Sequence, residues 1–145
     1  MDRRRLLQGM GVAAIVPFLS AAKLHAESEA WVDDAATVFE LRVYHTHEGK
    51  LEPLLKRFRE RETRIFERLG MRGVGYWTPT DEPLNGRTLI YLLAHRSREA
   101  ATASWERFKV DPEWVKLKAE SEAGGEFVEK HESTFMALTD FSPKA

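Results

Sequence analysis

The chain has 145 residues, enough for one domain that buries a core without metal or disulfide staples. Hydrophobic residues make up 43% and charged residues 31%, and the net charge of -1 divides into +3 over residues 1–26 and -4 over the rest. An acidic remainder with interleaved cations argues against a nucleic-acid or anionic-membrane partner, and the absence of cysteine removes disulfides, thiol nucleophiles, Cys-based metal sites and a lipoprotein anchor.

Arg3, Arg4 and Arg5 precede Leu6-Leu7 and a weakly apolar run that ends at Ala22. This segment, residues 1–26, resembles a twin-arginine export signal. Its apolar run stops short of the ~20 residues a membrane span needs. Membrane contact is therefore expected only transiently, and the chain is expected to be exported to the periplasm. Cleavage fits after Ala22 or after Ala26. Residues 27–36 are acidic and alanine-rich and read as a flexible leader.

The folded part is expected over 37–143. Residues 37–46 alternate with period two, Phe39, Leu41 and Val43 on one side and Glu40, Arg42 and Tyr44 on the other, which predicts a strand. From Leu51 the period lengthens. Leu51, Leu54, Leu55, Phe58, Ile65, Phe66 and Leu69 recur at three- and four-residue steps and predict a long helix closed by Gly70. Residues 71–80 predict a second strand, and the turn residues Pro83, Asn85 and Gly86 lead to a third, strongly apolar one over 88–96. Ser97 is suited to cap a helix that passes through Trp105 and Phe108, and Asp111-Pro112-Glu113 to start another. Gly124-Gly125 ends it, and residues 129–139 predict the last strand.

The order is β-α-β-β-α-β, and right-handed crossovers give the sheet order 4-1-3-2. Two helices cover one face. The other face is expected to carry Tyr44, Trp77 or Tyr76, Ile90, Leu92 and Met136, and so to need a partner. A second copy of the chain is the simplest one.

The strings Phe39-Glu40-Leu41-Arg42-Val43-Tyr44, Gly49-Lys50-Leu51, Gly73-Val74-Gly75-Tyr76-Trp77, Leu89-Ile90-Tyr91-Leu92, Asp111-Pro112-Glu113-Trp114 and Thr139-Asp140-Phe141-Ser142-Pro143 occur in this order. Together they resemble the NIPSNAP family over roughly residues 38–143. The resemblance implies an α+β, ferredoxin-like βαββαβ fold with an antiparallel sheet, paired into a dimeric α/β barrel. Relatives of that architecture include antibiotic-biosynthesis monooxygenases and haem-degrading enzymes, while the family itself has no settled reaction.

Glu40, Arg42 and Tyr44 supply an acid, a fixed cation and a phenol about 7 Å apart on one strand face, a candidate catalytic trio. Arg42 is suited to grip a carboxylate, and Glu40 to act as a base if burial raises its pKa. The competing reading is a Glu–Arg pair and a tyrosine at a dimer seam. Tyr76 and Trp77 are candidate aromatic walls, or sheet-packing residues, and His95 is a candidate ligand contact. His45 and His47 fall on one side of the first strand, but no third ligand is fixed beside them, so no metal is expected. Trp105 and Trp114 read as helix–sheet packing. The sequence has no nucleophile turn, phosphate loop or dinucleotide fingerprint.

Three functions compete. The first is a cofactor-free oxygenase or isomerase, or a binding protein, for a small hydrophobic or aromatic molecule held between sheet and helices or inside the dimeric barrel. The second is a non-catalytic interaction module of the cell envelope. The third is a haem-binding protein with His95 as axial ligand.

Overall fold

A computed structural model of the chain describes residues 37–143. The expected export signal and leader, residues 1–36, lie outside the described residues. The elements are β1 (Val38–Thr46), α1 (Leu51–Arg57), a π-helical turn (Phe58–Glu62), α2 (Thr63–Arg68), β2 (Arg72–Trp77), β3 (Thr88–His95), α3 (Arg98–Val110), α4 (Pro112–Ser121) and β4 (Val128–Met136). The strands form one antiparallel sheet in the order β2-β3-β1-β4, the ferredoxin-like arrangement expected from the sequence.

Local chemistry sets the helix ends. The Ser97 hydroxyl accepts from the Ala100 N–H at 3.0 Å and starts α3. Asp111 accepts from the N–H groups of Glu113 and Trp114 at 3.1 and 3.2 Å, with Pro112 in the first turn of α4. The same carboxylate receives a bidentate pair from Arg68 at 2.8 and 2.9 Å, which ties the start of α4 to α2. Gly70, at φ 86°, reverses the chain after α2 where a side chain would be strained.

The expected single helix over 51–69 is interrupted by the π-turn. The N–H and hydroxyl of Thr63 both reach the carbonyl of Phe58, the hydroxyl at 3.1 Å. The cause is legible afterwards. The apolar stripe reaches Phe58 and resumes at Ile65, and the intervening stripe positions hold Arg61 and Glu62. The extra residue of a π-turn keeps Ile65 and Phe66 on the core side despite that lapse.

β4 ends at Met136, not at Thr139 as expected, because Phe39 near the start of β1 is its last partner. Residues 137–143 leave the sheet. Ala137, Leu138, Thr139, Ser142 and Pro143 of this segment line, with Phe39, Val74 and Leu92, an apolar groove of about 360 Å³. β4 is also an edge of the sheet, with Glu129, Lys130 and Glu132 exposed along it.

Register decides which β1 residues meet the helices. Glu40, Arg42 and Tyr44 pair with Leu93, Tyr91 and Leu89, and this set turns under the helices. Tyr44 stacks edge-on against Tyr91 at 5.2 Å and against Phe58 at 6.2 Å. The expectation that Tyr44 lies on the uncovered face is therefore corrected. Tyr76 follows Tyr44 under the helices, stacked on Tyr91 at 5.7 Å. Leu41, Val43, Ile90 and Leu92 are half-buried on the other face, where Trp77 and Met136 also lie. The polar set can be covered because it is internally paired, which offsets the cost of burying it.

Leu54, Phe58, Ile65, Phe66, Met71, Tyr91, Leu93 and Phe108 form the core between sheet and helices. Burial of side chains of this size contributes roughly 1.5–3 kcal/mol each.

Candidate functional site

Glu40 is 1% exposed and is the hub of the covered face. Its Oε1 accepts from Arg42 Nη1 at 2.6 Å and from Ser133 Oγ at 2.7 Å. Its Oε2 accepts from Trp105 Nε1 at 2.7 Å and lies 2.9 Å from His95 Nε2. A carboxylate can only accept, so His95 Nε2 carries the proton. Burial pushes the Glu40 carboxyl up. The hydrogen bonds from His95, Trp105, Arg42 and Ser133 outweigh that and hold it at about 2. A group ionised so firmly is a poor base. The expectation that burial would raise its pKa for that role is corrected, and Glu40 instead anchors Arg42.

Arg42 is fixed from several sides. Its guanidinium lies over the Trp105 ring at 4.2 Å, and Nη2 donates to the Tyr44 hydroxyl at 3.3 Å. Burial disfavours its charge, but Tyr91, Tyr44 and Glu40 hold its pKa above the ordinary value. Its Nε is buried and has no hydrogen-bond partner among the described residues. Tyr44 is pushed up by burial, against the pull of Arg42.

Arg42 and Tyr44 line a cavity of about 200 Å³ between the sheet and the helices. The other walls include Arg57, Glu62, Trp114, Val128 and His131. On its far side Arg42 borders a wider cleft of about 340 Å³, lined also by Arg98, Trp105 and Phe135.

The sequence reading missed the second charged pair in this cavity. Arg57 Nε donates to Glu62 Oε2 at 2.8 Å, and Arg57 Nη1 donates to Glu122 at 2.8 Å and to Ser121 at 3.2 Å. Arg57 and Glu62 are five residues apart, the period of the π-turn, which is how both come to face the sheet. The guanidinium also sits 4.9 Å from the Trp114 ring. Glu62 is 1% exposed. Burial pushes its carboxyl up to about 7, with Arg57 opposing and Glu122 reinforcing the shift.

The remaining sequence candidates lie elsewhere. His95 is fully buried, with Nδ1 unpartnered and Nε2 on Glu40, and belongs to the network behind Arg42. Tyr76 is 38% and Trp77 53% exposed, Tyr76 against the core and Trp77 on the uncovered face. His45 lies 3.5 Å from Glu132 at the other end of β1. Among the described residues no group of three His, Asp or Glu side chains is placed to hold a metal, and no helix is long and apolar enough to cross a membrane.

The model of the NIPSNAP family matches residues 39–143. The chain belongs to the NIPSNAP family. A search of curated proteins found no match. Among solved structures, this NIPSNAP chain is similar to an uncharacterised NIPSNAP-like domain protein from Burkholderia xenovorans, with 17% identity, a TM-score of 0.66, and coverage of 77% of this chain and 92% of that one. It is similar to a dimeric ferredoxin-like protein from an uncultured marine organism, at 22% identity and a TM-score of 0.53, covering 78% and 96%. It is also similar to a cofactor-independent oxygenase from Streptomyces nogalater, at 13% identity and a TM-score of 0.50, covering 76% and 100%. These identities carry the fold only.

In this NIPSNAP domain the family string Phe39–Tyr44 contains the Glu40–Arg42–Tyr44 network, whereas Asp111–Trp114 is explained by the start of α4 and its tie to Arg68. Glu62 belongs to none of the recognisable strings. Its one sequence signal is a charged residue standing where the helical stripe calls for an apolar one.

Proposed function

We propose that this NIPSNAP domain binds a small planar molecule in the cavity between sheet and helices and transforms it without a cofactor. The observation that carries this reading is Arg42. It is a part-buried cation clamped by Glu40 and Trp105 on the wall of a cavity of about 200 Å³. That volume is below the ~300–1,000 Å³ of sites for drug-sized ligands and suits a single ring. Tyr44 and Trp114 offer aromatic surface, and Arg42 and His131 offer contacts for an oxygen-bearing edge, while Arg57 is already paired with Glu62 and Glu122. The hydrophobic or aromatic ligand expected from sequence thus becomes an aromatic or conjugated one with a polar rim.

The domain works as an exported homodimer in this proposal. The twin-arginine segment supports export, and the half-buried apolar face of the sheet supports pairing with a second copy.

A panel of single-ring carboxylates, phenols and enols screened by ligand-observed NMR tests the cavity. We expect saturable binding by at least one class, abolished when Val128→Trp fills the cavity. If no class binds, or if binding survives Val128→Trp, the cavity is not a ligand site.

A further inference from the structure

Glu62 gives the cavity a chemical role, provided that the cavity is a ligand site. One oxygen of Glu62, Oε2, accepts from Arg57 Nε at 2.8 Å. The carboxyl is 1% exposed, yet it lines the same cavity as Arg42. The ion pair with Arg57 thus holds the carboxyl in place on the wall of a space where a ligand fits. The π-turn that presents it is also a local departure from helical geometry of the kind often found at functional sites.

We propose that Glu62 transfers a proton within the bound molecule, a small carbonyl compound with a neighbouring carbon–carbon double bond, while Arg42 receives the negative charge that develops on the substrate oxygen. In the first half, the Glu62 carboxylate takes a proton from a C–H next to a carbonyl. The electron pair of that bond moves into the conjugated system and onto the oxygen, giving an enolate. In the second half, Glu62 returns the proton at the far carbon and the carbonyl reforms. The net change is a shifted double bond, balanced without an oxidant, reductant or second substrate.

Two features fit each half of that cycle. A carboxyl poised at about 7 is part protonated and part ionised near neutrality, so it can both take and give. Arg42 stays charged throughout and is already rigid, so little reorganisation is required when the oxyanion forms. Arg57 orients the Glu62 carboxylate and is itself braced by Glu122, so it is a positioning residue.

Nitrobenzisoxazole tests this on the full chain. A base removes its ring proton, the N–O bond breaks and a coloured phenolate appears, so binding and proton removal are read separately. We expect saturable turnover of the bound probe, a ~100-fold loss of turnover in Glu62→Gln with probe binding retained, and partial activity in Glu62→Asp. Blocking the cavity with Val128→Trp should abolish binding and turnover together. Turnover in Glu62→Gln equal to that of the parent, or a parent that binds the probe without turning it over, overturns the role of Glu62 and leaves the cavity as a binding site. Turnover that persists in Val128→Trp also overturns it. No saturable binding of this probe by the parent overturns this inference, while the cavity reading stands or falls with the single-ring panel.

Discussion

Glu40 and Glu62 are both buried carboxyls close to an arginine, yet they are driven in opposite directions. Among the described residues Glu40 has four hydrogen-bond partners, whereas Glu62 has Arg57. Glu40 is held at about 2 against an ordinary 4.5, so its contribution to stability is present above about pH 4.5 and is lost as the pH falls through 2. At 1.36 kcal/mol per pH unit this amounts to about 3 kcal/mol. Glu62 is raised to about 7, so the folded state holds its proton more tightly than the unfolded state does. Its effect is opposite: stability falls as the pH rises from about 4.5 through 7. Denaturant midpoints measured from pH 2 to 8 should therefore climb to a maximum near pH 5 and then decline, and Glu62→Gln should flatten the decline. Removing the charge in Glu40→Gln leaves Arg42 buried without its counter-ion and should cost about 3–5 kcal/mol, read by chemical denaturation. Retention of full stability would mean that Arg42 is not held as described.

At the level of elements, the strands, the caps and the order of the sheet could be read from the chain because each has a local signal. Period-two alternation marks β1, a run of apolar residues marks β3, and Ser97, Asp111 and Gly70 punctuate the helices. The facing of β1 was not readable. Alternation separates two sets but does not say which set the helices will cover, and here the polar set is covered because Trp105, Ser133 and His95 arrive from three other elements to satisfy it. The π-turn was legible only as a gap in a stripe. Two substitutions probe these devices. Asp111→Ala removes the cap of α4 and the acceptor of Arg68, and should lower stability by about 1–2 kcal/mol in thermal or denaturant unfolding. Deleting the exposed Glu60 should convert the π-turn to continuous α-helix, keep the circular dichroism spectrum, and swing Glu62 away from Arg57 so that single-ring binding is lost. Unchanged binding after the deletion would show that the extra residue does not position the cavity wall.

For the whole molecule, the decisive question is what meets the uncovered face of the sheet. Ile90, Leu92, Leu41 and Val43 are half-buried there, and Trp77 and Met136 are exposed. Leu92→Lys should give a monomer in sedimentation velocity while the helix-side cavity still binds its ligand, because that cavity is lined from the opposite face of the sheet. A parent chain that sediments as a monomer at micromolar concentration would remove the dimer from the proposal. The charged rim of β4 bears on the same question from another side. A strand that shows a newcomer alternating Lys and Glu side chains is a poor template for adding a further strand. In the proposed pair the broad face is the meeting surface, and the β4 border discourages a third copy from adding a strand there.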